Sequence, residues 1–560
     1  MTQPTPPIPD LADLQHWTWL TGRAQQMMLE AGMPLAPPDS VAEQARDFWT
    51  DYLNLWQRFT APPSPEAERP KEKDRRFANP AWRAHPAFDW IRQSYALIAD
   101  HMLRGVDALE GVDDKTRAQL RFATAGFVDA MSPSNFALTN PEVIEKTIET
   151  RGQNLLTGLN NMLADIGKGQ LTHTDGSAFE VGRNLAATPG KVVKRAALYE
   201  LIQYTPTTGQ VLETPLVIFP PWINRFYILD LSPEKSFIRW AVDQGITVFM
   251  VSWKSADASM ADVMWDDYVA AQIEAVETIR DLLTVRAVHT VGYCVAGTTL
   301  AATLAVLQAR GEAEKVASAT FLTAQVDFSR AGDLLHFVDD EQLKMISALS
   351  PQGFLDGRYL AATFNLLRGR DLIWNYVTNN YLLGKEYAPF DLLHWNGDVT
   401  NLPAKWHLAY LTDLYRDNLL VQPGAMSVAG VPLDLTTVTT PAYIQAGRED
   451  HIAPADSVWK LTQQLRGPLR FVLAGSGHIA GVVNPPAANK YQHWINDAPA
   501  ESLEAFVAGA REVKGSWWND WAAWLRALAP AEVATAGARR PGEGALPAIE
   551  DAPGSYVRAR

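Results

Sequence analysis

The sequence predicts an α/β protein: a mostly helical N-terminal domain, then a sheet of mainly parallel strands covered on both faces by helices and carrying a large insertion. Three observations predict it. After residue 176, short apolar runs rich in β-branched residues and bounded by glycine or proline alternate with longer amphipathic stretches, the pattern of strands buried on both faces. Before that point the apolar spacing is helical and no cluster of catalytic residue types is evident. The length of 560 residues, at ~100–200 residues per domain, argues for more than one domain.

Composition narrows the class. Hydrophobic residues at 47% and charged residues at 20% exclude global disorder and fibrous architectures. With 49 Lys plus Arg against 63 Asp plus Glu, the net charge of −14 repels nucleic acid and anionic lipid, so no nucleic-acid partner is expected and any anionic ligand needs a local basic pocket. Cys294 is the only cysteine, which excludes an intramolecular disulfide and any multi-cysteine metal site. No metal and no cofactor are expected. Residues 1–10 carry neither a positive n-region nor an apolar h-region, and no run reaches ~18 apolar residues, so a cytoplasmic protein without a transmembrane segment is expected. The 19 tryptophans exceed what a compact core requires and hint at an apolar channel or a covered hydrophobic surface.

Along the chain, residues 1–39 are broken by prolines, and Ser40 with Glu43 forms a capping-box pattern. Phe48, Tyr52, Leu55, Trp56 and Phe59 follow at helical spacing, and the proline- and charge-rich stretch 60–79 reads as an exposed connection. Helical periodicity resumes over 90–163, interrupted at Ser132–Pro133 and Asn140–Pro141, so residues 1–170 form the N-terminal domain and 171–560 the catalytic one. Strands are expected at 196–204, 216–219, 247–251, 288–291, 319–323, 442–445 and 470–473. Residues 325–435 are rich in Trp, Tyr, Leu and Asn and too long for a bare loop, so they read as a cap or lid. The tail from Ala529 is expected to wrap loosely.

The expected strand 288–291 runs into Gly292-Tyr293-Cys294-Val295-Ala296-Gly297, and a helical pattern opens at Thr298. A sharp strand-to-helix turn that lifts a nucleophile above the sheet needs small residues on either side, and Gly292 and Ala296 fill those positions. The helix N-terminus also favours a thiolate. A buried structural cysteine is the commoner state of an intracellular thiol, but this one falls where the turn needs its nucleophile. An elbow nucleophile in the α/β-hydrolase order is followed by an acid and then a histidine, each in a loop after a later strand. Asp450 follows the run 442–445 and His478 follows 470–473, so the triad is read as Cys294, Asp450 and His478, with Glu449 and His451 as neighbouring rivals. The oxyanion hole is expected from the backbone N–H of Val295 plus one from the loop Pro220-Pro221-Trp222-Ile223-Asn224. Proline has no N–H, which leaves Trp222 and Ile223. Cysteine in place of serine suits acyl transfer, because exchanging one thioester for another keeps the acyl group activated, although it does not exclude hydrolysis.

These residues resemble the polyhydroxyalkanoate synthases of the long single-chain type (class I). The blocks that carry the resemblance run from Asp74-Arg75-Arg76-Phe77 and Ser134-Asn135-Phe136 through the stretch from Pro220 to Leu231 and Gly292-Tyr293-Cys294. They continue with Val326-Asp327-Phe328, Asp371-Leu372-Ile373-Trp374-Asn375, Trp395-Asn396, Thr400-Asn401-Leu402-Pro403, Glu449-Asp450-His451-Ile452, Ser476-Gly477-His478-Ile479-Ala480-Gly481 and Gly515-Ser516-Trp517-Trp518. The resemblance implies an α/β-hydrolase fold and polymerisation of (R)-3-hydroxyacyl-CoA, short-chain such as 3-hydroxybutyryl-CoA, into polyester on storage granules. It implies Cys294 as nucleophile, His478 as base, and Asp450 as either the partner of His478 or the activator of the chain-extending hydroxyl. Substrate contacts from His451, Arg368 and Asn418 follow from it too. So do a homodimer with its contact around Trp395, granule-associated proteins as partners, a role for the N-terminal domain in granule association and dimer stability, and a growing polyester chain leaving under a lid. Two positions depart from the family pattern: Ala296 stands where glycine is usual, and Arg370 where asparagine is usual. The competing readings are an intracellular depolymerase or thioesterase of the same fold, and a non-catalytic granule-coating protein.

Overall fold

The computed structural model describes residues 38–60 and 74–559. The chain forms two compact units, Met1–Asp175 with Arg358–Pro389, and Gly176–Gly357 with Phe390–Arg560.

In the first unit, helices α1 (Pro38–Thr60), α2 (Pro86–Asp107), α3 (Asp114–Ala130), α4 (Pro141–Glu149) and α5 (Gln153–Lys168) are stopped and started by the residues that break the pattern in the sequence. Pro86 and Pro141 begin their helices, where the missing N–H is not needed. Asp113 caps α3 by accepting from Thr116 N at 3.0 Å, and Asn140 caps α4 by accepting from Glu142 N at 3.0 Å. Helix α1 begins at Pro38, two residues ahead of the expected cap, so Ser40 lies inside the helix; its side chain is outside the described residues, as are residues 1–37 and 61–73. The aromatic stripe of α1 closes on α2, with the rings of Trp56 and Phe59 at 5.3 and 5.1 Å from Trp90.

One part of the expected cap belongs to this unit instead. Helix α5 presents Asn154, Gly158, Asn161 and Asp165 on one face to residues 377–384. Asn154 Nδ2 donates to Leu382 O at 2.8 Å, Asn161 Nδ2 to Asn380 O at 3.1 Å, and the Tyr381 hydroxyl to Asp165 Oδ2 at 2.7 Å. A Cβ on Gly158 would stand 1.7 Å from Tyr381 O, so only glycine admits this approach. The expected single cap over 325–435 is therefore divided: 358–389 packs with the N-terminal helices and the rest with the sheet.

The second unit is built on an eleven-stranded sheet flanked by helices that include α6 (Trp265–Leu283), α7 (Val295–Ala309), α8 (Ala455–Gln464) and α9 (Trp518–Leu528). Its strands in chain order are β1 (Gly190–Arg195), β2 (Tyr199–Tyr204), β3 (Leu216–Phe219), β4 (Val248–Trp253), β5 (Val288–Tyr293), β6 (Val316–Leu322), β7 (Ala442–Gly447), β8 (Leu469–Ala474), β9 (Gln492–Ile495), β10 (Arg511–Lys514) and β11 (Glu550–Asp551). Their spatial order is β10-β9-β8-β7-β6-β5-β3-β4-β2-β1-β11. The six from β8 to β4 are parallel, and β3, β4, β5 and β7 are buried along their whole length, as strands covered on both faces must be. The expected run 196–204 pairs antiparallel to β4 as β2, and β1, β9, β10 and β11 have no counterpart among the expected strands. They are short or mixed edge strands whose composition carries no continuous apolar signal.

The C-terminal segment also differs from expectation. Helix α9 (Trp518–Leu528) sends Trp521 Nε1 to Thr320 Oγ1 at 2.9 Å, while Trp517 Nε1 and Trp518 Nε1 donate to Gly481 O and Val482 O at 2.8 and 2.9 Å. Beyond it the tail is fixed rather than loose. The buried Arg539 donates to Leu212 O and Glu213 O at 3.2 and 2.6 Å, and β11 adds to the sheet edge at β1.

Candidate active site

The parallel register pairs Phe219 of β3 with Gly292 of β5, so the loops after both strands leave the same edge of the sheet, as do those after β7 and β8. Cys294 sits between β5 and helix α7 (Val295–Ala309) with φ 53° and ψ −127°, backbone that a non-glycine residue adopts only under strain. The turn is held by Cys294 N donating to Leu322 O at 2.9 Å and by Gly297 N and Thr298 N returning to Cys294 O at 2.9 and 3.1 Å. Its tightness falls on Gly292 and Gly297. A Cβ on the first would lie 2.5 Å from Gly297 Cα, and one on the second 2.5 Å from Ala324 Cβ. The expected second small position was Ala296, but that side chain is accommodated in the buried first turn of α7, so the departure from family glycine leaves the elbow intact.

His478 and Asp450 meet beside this turn. His478 Nδ1 lies 2.7 Å from Asp450 Oδ2, with the carboxylate fully buried and the imidazole side chain 10% exposed. Asp450 Oδ1 accepts from Ile452 N and Ala453 N at 2.8 and 2.9 Å, which fixes the carboxylate before it meets the imidazole. With Nδ1 committed to Asp450, Nε2 is the nitrogen left for the Cys294 sulfur, whose charge acts on the ring. Burial disfavours the imidazolium, but the negative charge of Asp450 and of the Cys294 sulfur outweighs it, and the His478 pKa is pushed up to about 10. The Tyr293 hydroxyl donates to His478 O at 3.0 Å, and the Trp517 and Trp518 indoles hold Gly481 and Val482 a turn further on. Of the expected rivals, Glu449 points into solvent and His451 is half-buried.

Val295 opens α7, so its N–H has no partner within the helix. Trp222 and Ile223 lie in the loop after β3. That loop is braced from the segment after 394: Thr400 Oγ1 donates to Trp222 O at 2.6 Å and accepts from Asn224 N at 2.9 Å. Arg225 Nε pairs with Asp398 at 3.2 Å and the Tyr227 hydroxyl donates to the same carboxylate at 2.7 Å. Trp395 belongs to this brace. It is 6% exposed in the hydrophobic core and donates through Nε1 to Arg225 O at 2.7 Å. The indole expected at a dimer contact is thus engaged within the protomer.

The expected substrate contacts fall in different places. Asn418 holds a loop: its Oδ1 accepts from Phe328 N at 2.8 Å and its Nδ2 donates to Asp327 Oδ1 at 3.0 Å. Arg368 belongs to the first unit and pairs with Asp371 at 2.6 Å on the surface, and the unusual Arg370 pairs with Asp129 at 2.7 Å. Sequence reasoning missed Tyr410 and Tyr415. They lie on a π-helical turn, Tyr410–Arg416, and both feel the negative charge of Cys294. A π-helical turn has no periodicity to read in the sequence, and two tyrosines in an aromatic-rich stretch give no signal of their own.

Residues 214–485 match the family model described as "alpha/beta hydrolase fold" and residues 73–241 the one described as "Poly-beta-hydroxybutyrate polymerase (PhaC) N-terminus". With the strand order and the elbow, the first match makes this an α/β-hydrolase-fold protein. A poly(3-hydroxyalkanoate) polymerase subunit PhaC from Cupriavidus necator is 47% identical over 95% of this chain and 90% of its own length. One from Rhizobium meliloti is 44% identical over 94% and 87%, and the poly(3-hydroxyalkanoate) polymerase of Methylorubrum extorquens is 44% identical over 97% and 89%. The chain belongs to the poly(3-hydroxyalkanoate) polymerase family.

Proposed function

We propose that this protein polymerises (R)-3-hydroxyacyl-CoA, short-chain such as 3-hydroxybutyryl-CoA, into polyester through an acyl group carried on Cys294. The observation that carries the reading is the cysteine at a strained elbow beside a histidine whose far nitrogen is held by a buried carboxylate. In acylation the sulfur of Cys294 attacks the thioester carbonyl while the proton is held on His478 Nε2, where the raised pKa keeps it. The C–S bond to CoA then breaks and the departing thiolate takes the proton back from the imidazolium. The oxyanion is met by the Val295 N–H together with that of Trp222 or Ile223. In elongation a 3-hydroxyl loses its proton to His478, its oxygen attacks the acyl carbon, and the sulfur of Cys294 leaves.

Family likeness extends the reading to a homodimer, to the growing polyester and its granule, to granule-associated proteins and to a role for the N-terminal unit there. Among the described residues no helix is long and apolar enough to cross a membrane. Supplying 3-hydroxybutyryl-CoA and following thiol release with turbidity tests the reading. CoA with polymer is expected. CoA with free acid would make the protein a thioesterase or depolymerase, and no CoA would leave only a granule coat.

A further inference from the structure

The loop after β3 that carries the Trp222 and Ile223 N–H groups opens with Pro220 and Pro221, neither of which has an N–H to hold it. It is fixed from outside, and one of its anchors comes from more than three hundred positions later in the chain. The Arg225 side chain is 1% exposed, and its guanidinium ties the loop to two other segments. Nε pairs with Asp398 at 3.2 Å and Nη2 donates to Val399 O at 3.3 Å. The other bonds go to residues 556–559: Nη1 donates to Tyr556 O at 3.3 Å and Nη2 to Ala559 O at 2.7 Å. A guanidinium taken out of water needs an acceptor for each of its five N–H groups. One carboxylate, shared with the Tyr227 hydroxyl, cannot serve them all, so the two carbonyls are part of what lets Arg225 stay buried.

Those carbonyls face Arg225 because the segment is pinned just before them. Glu200 of β2, its side chain fully buried, accepts from Ser555 N and Tyr556 N at 3.1 and 3.0 Å and from Ser555 Oγ at 2.9 Å, and pairs with Arg195 at 2.7 Å. The Tyr556 hydroxyl donates to Ala196 O at 3.0 Å, and Val557 is buried in the hydrophobic core. Gly554 leads in with φ 84°, and a Cβ there would run into Glu200 Oε2. Buried charged groups are a costly way to tie down a tail that apolar packing could hold, but they fix its direction, which apolar packing does not. We propose that residues 555–559 act as a strap that positions the oxyanion loop: Glu200 seats the strap, the strap's carbonyls seat Arg225, and Arg225 holds the Trp222 and Ile223 N–H groups where the acyl oxygen becomes charged. Arg225 is then a positioning residue that touches no substrate. This deepens the polymerase reading and rests on it. It bears on both transfers alike, since the carbonyl oxygen gains charge as the Cys294 sulfur adds and again as the chain-extending oxygen adds.

A chain ending at Gly554 removes the strap and leaves every residue of the elbow and of the oxyanion loop in place. With 3-hydroxybutyryl-CoA, its kcat for CoA release should fall about 10- to 100-fold with KM within about threefold of the wild type, because a donor misplaced by ~1 Å weakens the transition state rather than the bound substrate. Alkylation by iodoacetamide reports on Cys294 alone, the chain's one cysteine. It is a displacement at saturated carbon with no oxyanion, so its rate should stay within about twofold of the wild type. Parallel falls in CoA release and alkylation would mean that the segment only supports the site, and an unchanged kcat would mean that the loop is set without it. Both results overturn the proposal. Gly554→Ala keeps the whole chain and lifts the strap from Glu200, and it decides the matter if the shortened chain does not fold: kcat should drop at least about threefold with alkylation unchanged, and any other result overturns the proposal. Polymer formed by the wild type alongside a failed proposal leaves the polymerase reading standing, whereas a wild type that releases no CoA removes both.

Discussion

Backbone strain at Cys294 is what lifts its sulfur above the sheet, and it gives the residue a stability signature separate from its chemistry. Cys294→Gly should abolish CoA release and polymer while raising stability by about 1 kcal/mol, since glycine relieves a strain worth ~1–3 kcal/mol and loses part of that gain to unfolded-state entropy. Cys294→Ala should be equally inactive without the gain. Denaturant midpoints with CoA assays check both, and polymer from either variant would end the covalent reading. His478 gives a pH signature. Its pKa is raised in the folded state from 6.5 to about 10, so its contribution to stability is fully present below pH 6.5 and is lost as the pH climbs through 10. The stability gap between the wild type and His478→Gln should therefore narrow over that window, and a gap that widens with pH would reverse the assignment of charge. The meeting of His478 with Asp450 was legible because chain order and strand-end placement constrain the two positions jointly. Asn418 and Arg368 were not, because whether a polar side chain is already engaged by its own fold is invisible to a motif.

At the scale of elements, the elbow works because β5 and α7 touch through two glycines. Gly297→Ala should cost about 1–3 kcal/mol and most of the CoA release, because the added methyl meets Ala324 and the carbonyl of Gly292. Ala296→Gly, the change toward the family residue, should cost no more than about 1 kcal/mol and leave activity near that of the wild type. Thermal midpoints of the pair decide it, and a larger loss at 296 would place the contact wrongly. The strand-turn-helix was legible from the apolar run and the glycines around it. Which second residue made the close contact was not, because that depends on where the helix axis meets the strand. The surplus tryptophans show the same limit: Trp517, Trp518 and Trp521 spend their indole N–H groups inside the fold, two of them on the loop that carries His478.

For the molecule as a whole, the chain leaves and re-enters its units in a way that composition does not mark. Residues 358–389 carry the same aromatic and asparagine-rich character as their neighbours, yet a face of Asn154, Gly158, Asn161 and Asp165 more than two hundred positions earlier claims them. Association is open to the same scrutiny. Trp395→Ala should cost about 3–5 kcal/mol, the price of emptying a buried indole site, and should leave the sedimentation of the remaining folded protein unchanged. A shift to monomer with undiminished stability would return Trp395 to an interface. All of these rest on one chemical event, the transfer of the acyl group to sulfur. Mixing the protein with one equivalent of 3-hydroxybutyryl-CoA, quenching in acid and mapping peptides by mass tests it most directly. The account predicts one 3-hydroxybutyryl group on the peptide containing Cys294, removed by neutral hydroxylamine and missing in Cys294→Ala. Released CoA with that peptide unmodified, or with the acyl group on another residue, would contradict it.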